Sequence, residues 1–253
     1  MNAEDRSVLD RAAPGPDLTL RYGPAAEQVA DAWLGDARAT RRPLVVLVHG
    51  GFWRPEYDRV HLRPLGMALR DAGWTVVSVE YRRSPGRPEV TAGDIAVALT
   101  AIPASSAARW HQGLHNGSVV VVGHSAGGHL ALWSASAAPA PGLVGTVALA
   151  PVADLGLAHR LDLDDGAVAD FLGGPPEDNG DLDPVRLAVP GAPVVVVHGT
   201  EDGIVPLAVA ESYTAAHPAT RLVALPDIGH FALIDPLSEA WGTVVDTLAS
   251  FDA

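Results

Sequence analysis

The sequence has no cysteine and no lysine. The first absence excludes disulfides and thiolate metal sites. The second removes a phosphate-loop lysine and a Schiff-base lysine together, since all 17 basic residues are arginine. Against them stand 30 acids, for a net charge of −13. So acidic a chain repels phosphate backbones and anionic lipid, and neither nucleic acid nor a membrane is expected as a partner. No apolar run approaches the ~18–20 residues of a membrane span. The opening "MNAEDRSVLDRAAPGPD" carries acids where a signal peptide would carry its apolar core. A soluble, cytoplasmic protein is the expectation. Repeats and low-complexity linkers are also missing.

What is present is apolar material in short pieces. Of 253 residues, 48% are hydrophobic and 19% charged, enough for a sizeable core in a single domain over 1–253. β-Branched runs recur at 44–48, 75–80, 118–122, 143–149, 193–197 and 221–225. They are apolar almost throughout, as strands covered on both faces are. Residues 18–22 and 28–34 alternate more and suit antiparallel strands at one edge. Helical spacing lies between the runs: Leu62, Leu65 and Leu69; Ile95, Leu99 and Ile102; Leu237, Trp241, Val244 and Leu248. Strand alternating with helix predicts an α/β fold, a mainly parallel sheet of about eight strands with helices on both faces.

One segment, 154–188, breaks the rhythm. It has no clear strand and carries nine acids against Arg160 and Arg186. A long excursion between strands is usually functional or mobile. It is expected to pass, as a short cap, over the carboxyl edge of the sheet, where open α/β sheets bind ligands.

The strongest chemical signal is "VVVVGHSAGGHL", residues 119–130. Gly123, His124, Ser125, Ala126 and Gly127 fill the pattern G-x-S-x-G between a four-valine strand and a helix. Such a turn projects the Ser125 hydroxyl above the sheet edge. A plain serine N-cap would need no flanking glycines. A serine hydroxyl is a poor nucleophile without a base, and ten histidines compete for that role. His49, His124 and His198 end strands just before Gly or Ser, which suits structural hydrogen bonding. His61, His111, His115, His159 and His217 lie in helical or polar stretches and are expected at the surface. His129 is on the serine's own helix. His230 follows the strand at 221–225 and precedes the last helix, placing it to reach Ser125. A base needs a carboxylate to fix its tautomer. Asp202, in "VVVVHGTEDGIVP", supplies it in the chain order Ser, Asp, His; Asp154 is the alternative.

Acyl attack also needs a receptor for the oxyanion. In "LVHGGFW", backbone N–H groups of Gly51 or Phe52, facing that of Ala126, would form it. Phe52, Trp53 and His124 are expected to border the substrate.

Together "HGGFW", "GHSAGGHLALW", "HGTEDGIVP" and "IGHF" resemble the α/β-hydrolase superfamily across nearly the whole chain. The pairing of H-G-G-x-W with G-H-S-A-G is similar to its kynurenine formamidase (arylformamidase) and carboxylesterase branch. The resemblance implies an oxyanion hole at Gly50, Gly51, Phe52 and Trp53 and a triad of Ser125, Asp202 and His230. It implies a serine hydrolase of small esters or aryl formamides, with a small-molecule substrate and no cofactor. A homodimer is a further option. An amino-acid carboxylate on the substrate would call for an arginine, for which Arg54, Arg82 and Arg83 are candidates.

Two rival readings are an acyl-peptidase of prolyl-oligopeptidase type, for whose gating domain 253 residues leave no room, and a non-catalytic binding protein on a hydrolase scaffold. No metal is expected. His111 and His115 have the spacing of a helical pair, but Gly113 lies between them, and "LDLDDG" reads as a solvated acidic face.

Overall fold

The computed structural model describes residues 4–109, with 105–109 as backbone alone, and 114–252. Eight strands form one sheet: β1 (Leu18–Arg21), β2 (Val29–Trp33), β3 (Leu44–Val48), β4 (Val76–Val79), β5 (Val119–His124), β6 (Leu143–Leu149), β7 (Val194–Gly199) and β8 (Arg221–Leu225). Their order is β1-β2-β4-β3-β5-β6-β7-β8. The pairings β1–β2 and β2–β4 are antiparallel and the rest parallel, with the more alternating segments at one edge.

Seven α-helices accompany the sheet among the described residues: α1 (Arg63–Asp71), α2 (Pro88–Arg109), α3 (Ala126–Ala137), α4 (Leu155–Arg160), α5 (Ala167–Leu172), α6 (Leu207–Ala216) and α7 (Trp241–Ala249). Successive strand residues point to opposite faces. Leu44, Val46 and Val48 of β3 meet Ile95, Leu99 and Ile102 of α2 and Leu130 of α3. Val45 and Leu47 face the other way, toward Leu65 and Leu69 of α1 and Val244 and Leu248 of α7. Burying each such side chain is worth roughly 1.5–3 kcal/mol. Two apolar layers therefore hold the sheet, and β3 at its centre is apolar at every position.

Three expectations change. Leu237 does not share the face of α7; it precedes the helix and is 80% exposed. Asp235 Oδ1 accepts the Leu237 N–H at 2.8 Å, a local turn that competes with helix. His217 is buried rather than at the surface, its Nε2 donating to the Pro184 carbonyl at 3.0 Å. His61, also placed at the surface by its sequence, is half-buried and lines a partly open cavity. His111 lies outside the described residues. No helix among them is long and apolar enough to cross a membrane.

The segment 154–188 has no strand among its residues. It holds α4, α5 and two short 3-10 turns. Its apolar residues Leu155, Val168, Phe171 and Leu182 join the α2/α3 core, so it is packed rather than loose. Asp154 caps α4 by accepting the Leu157 N–H.

The chain goes outward from β3 to β4, then returns to lay β5 on the other side of β3. At this reversal the connections leaving β3 and β5 part, opening a crevice at their carboxyl ends.

Candidate active site

"HGGFW" leaves β3 and "GHSAGG" leaves β5, so both sequence motifs open onto that crevice. Ser125 sits between β5 and α3 with φ +57° and ψ −120°. A non-glycine residue there is strained by about 1–3 kcal/mol. The surroundings enforce it: Ser125 N–H donates to Leu149 O, and Ser125 O accepts from the N–H groups of His129 and Val152. Although Ser125 holds the N-cap position of α3, its hydroxyl makes no cap hydrogen bond. A structural serine would make that bond.

The glycines explain how the turn is so tight. A Cβ at Gly123 would lie 2.0 Å from Gly127 O, and one at Gly127 would lie 2.1 Å from Val48 O. Backbone packs directly on backbone here. A Cβ at Gly50 would lie 2.9 Å from the Ser125 Cβ, which brings the β3 turn against the serine. That turn is itself strained, with positive φ at Gly51 (106°), Phe52 (47°) and Trp53 (57°). Ala126 is the first residue of α3, where a backbone N–H has no acceptor within the helix. Among the described residues no acceptor takes up the N–H of Gly51, Phe52 or Ala126.

His49 braces this turn from behind. Its Nδ1 is 2.8 Å from Gly50 O and its Nε2 3.1 Å from Glu80 Oε1. Tyr81 stacks on the ring at 4.3 Å and donates its hydroxyl to His49 O. Burial raises the Glu80 carboxyl, but hydrogen bonds from His49 and Arg83 outweigh it and hold the group below the ordinary carboxylate range.

Across the crevice lie the loops after β7 and β8. Asp202 Oδ2 accepts from His230 Nδ1 at 2.7 Å, and both residues are buried. The other oxygen, Oδ1, accepts the N–H groups of Ile204 and Val205. Burial pushes the Asp202 carboxyl up, and the bonds from His198 and His230 pull it well below its usual value. Ionised Asp202 places the His230 proton on Nδ1 and leaves Nε2 as the basic nitrogen. The two loops are laced by Glu201 N–H to Ile228 O, Thr200 N–H to Leu225 O and Asp227 N–H to the Thr200 hydroxyl. Asp154, the alternative partner, instead binds the Ser212 hydroxyl and caps α4.

Ser125 and His230 line one cavity of about 60 Å³. No hydrogen bond joins their side chains among the described residues. Such bonds are often long before substrate binds. Gly51, Phe52, His124 and Phe231 share the wall. His124 does border the site, but its Nε2 is engaged with the His230 carbonyl at 3.1 Å. Burial keeps the His124 imidazole neutral, its pKa far below normal. Trp53, expected beside the substrate, is not on the wall: it is buried and its ring stacks on Phe171 of α5 at 4.5 Å.

The arginine candidates are all paired with carboxylates of this chain: Arg54 with exposed Asp164 and Asp170, Arg82 with buried Asp94, and Arg83 with buried Glu80. The remaining wall is made by residues the sequence did not flag. Tyr57, His61, Ile204 and Asp164 of the acidic excursion are joined by Arg6 and Leu9 from the start of the chain.

The profile of the family described as alpha/beta hydrolase fold matches residues 45–171, from β3 through the serine turn to α5. The chain belongs to the alpha/beta-hydrolase fold family. Its likenesses lie on the carboxylesterase and arylformamidase-like branch of that family. It is 30% identical to the kynurenine formamidase of Danio rerio over 114 residues, 45% of this chain and 36% of that protein. It is 34% identical to the non-reducing polyketide synthase ausA of Aspergillus calidoustus over 139 residues, 50% of this chain and 6% of the synthase. The chain thus spans well under half the length of either curated relative. Among solved structures, Esterase B from Lactobacillus rhamnosis superposes with a TM-score of 0.77 at 22% identity, covering 95% of this chain and 87% of the esterase.

Proposed function

We propose that this hydrolase cleaves small ester or aryl-formamide substrates through an acyl-enzyme on Ser125. The observation that carries the reading is the Asp202–His230 pair, bonded at 2.7 Å, on the wall of the same cavity as a strained serine whose hydroxyl caps nothing. In this reading His230 Nε2 takes the Ser125 proton as Oγ attacks the acyl carbon. The N–H groups of Gly51 or Phe52 and of Ala126 receive the oxyanion, each such donor being worth roughly 10²–10³ in turnover. The imidazolium, steadied by Asp202, returns its proton to the leaving group. Water, activated by the same base, then releases the acid.

Cavity size bears on the substrate. A single water needs roughly 10–15 Å³ of such space, so about 60 Å³ suits a formyl, acetyl or butyryl group rather than a long chain. With Arg54, Arg82 and Arg83 committed, none of these three recommends an amino-acid carboxylate on the leaving group. Similarity to a kynurenine formamidase keeps aryl formamides beside esters.

The test is a panel of p-nitrophenyl acetate, butyrate and octanoate with formylkynurenine, run on wild type and Ser125→Ala. Short acyl esters or the formamide should turn over, with octanoate far behind. Ser125→Ala should lose turnover and labelling by a fluorophosphonate. Full turnover by that variant would overturn the role of Ser125.

A further inference from the structure

Residues 4–11 belong to no strand and no α-helix; they form a strap with one 3-10 turn, Ser7–Asp10. Val8, 2% exposed, seats the strap in the α1/α7 core beside Leu62 and Phe231. Arg6 lies over the Phe231 ring, and Arg11 binds both carboxylate oxygens of Asp235. At the other end Glu4 reaches the candidate triad from outside the cavity. Its Oε1 accepts the Gly203 N–H at 2.9 Å, and its two oxygens accept the His230 N–H at 3.1 and 3.0 Å.

Gly203 directly follows Asp202. One carboxylate therefore clamps the main chain at His230 and the main chain next to Asp202, the two points whose separation sets the Asp202–His230 bond. The neighbouring sequence makes room for it: a Cβ at Gly229 would lie 2.5 Å from Glu4 Oε2. Gly229 has no positive φ to explain it. Bonds from backbone N–H to a carboxylate are stronger than those between neutral groups, and they act on the loops rather than on the reacting atoms.

We infer that Glu4 is a positioning residue for the reaction, stapling the loop of Asp202 to the loop of His230 so that the imidazole is held toward Ser125. This inference rests on the triad reading above. Glu4 touches no substrate, so its loss lowers the rate of the chemical step and leaves ground-state binding nearly unchanged. A misplacement of about 1 Å costs up to 10²-fold in rate.

The experiment compares the full chain with Glu4→Ala, Glu4→Gln and Arg11→Ala, reading kcat and KM on a short p-nitrophenyl ester, the rate of fluorophosphonate labelling of Ser125, and the thermal midpoint. Glu4→Ala should lose about tenfold in both kcat and labelling rate, with KM within about twofold and the protein folded. Glu4→Gln keeps one carbonyl oxygen for the Gly203 and His230 N–H groups but loses the charge and the second acceptor, and should recover part of the loss. Arg11→Ala frees the far end of the strap and should label near the wild-type rate. Wild-type labelling by Glu4→Ala overturns the inference. So does a Glu4→Gln as slow as Glu4→Ala, or an Arg11→Ala equally slow, which would assign the effect to charge or to the strap as a wall. A wild-type protein inert to both ester and probe would instead sink the triad reading itself.

Discussion

Behind Ser125 the cavity wall is backbone packed on backbone, with Gly123 on Gly127 and Gly127 on the end of β3 at separations no side chain could enter. Opposite, around His230, the wall is two loops held by carboxylates: Asp202 on a ring nitrogen and two N–H groups, and Glu4 on two more. The first wall is fixed by exclusion of volume and the second by hydrogen bonds. On the proposed mechanism, a substitution on the Ser125 side should therefore act through stability, while one on the His230 side should act through rate in a folded protein.

The sharpest break of that contrast is Asp202→Asn. The amide keeps the shape but offers an N–H where His230 Nδ1 needs an acceptor. Turnover should fall by about 10³–10⁴, measured as kcat, with the fold intact by circular dichroism. Gly127→Ala is the mirror experiment. A methyl group 2.1 Å from Val48 O must displace β3 or α3, and the expected cost is about 3 kcal/mol or more. Urea unfolding should show it as a lower midpoint or as insoluble protein.

A pH experiment refines the comparison on α3, the helix that Ser125 opens. His129 is fully buried, and burial lowers its pKa from 6.5 to about 4 despite the bond to Leu182 O. With the folded value below the unfolded one, its neutral form contributes stability in full above about pH 6.5. That contribution declines as pH falls and is gone below about 4. At pH 5 the loss is on the order of 2 kcal/mol. His129→Gln, which does not titrate, should flatten the fall in unfolding midpoint between pH 7 and pH 5. The smallest effect is expected from Arg54→Ala, which releases a half-exposed pairing with Asp164 and Asp170 worth about 1 kcal/mol or less. Its signature would be that the loss shrinks further in high salt.

The legibility of the molecule followed the same division. Six of the eight strands could be read because strands in a covered sheet write β-branched runs, β1 and β2 because their residues alternate, and the serine turn because close backbone approach demands glycine at fixed offsets. That Asp202 would meet His230 could be read because each lies in the loop after a strand, in chain order. The strap could not: Val8 and Leu9 are a lone apolar pair among charges, with no period to announce burial. Trp53 was misjudged because three consecutive left-handed residues undo the alternation by which a strand tells its faces apart. His61 and His217 were misjudged because polar neighbours in sequence do not fix what packs on a side chain in space.

The stack of Trp53 on Phe171 has a practical consequence. It is the point where the strained turn after β3 meets the helix-bearing excursion, and an indole held 4.5 Å from a phenyl ring emits differently once that ring moves away. Removing the other five tryptophans would leave an intrinsic optical gauge of whether the excursion shifts during turnover, with no label attached.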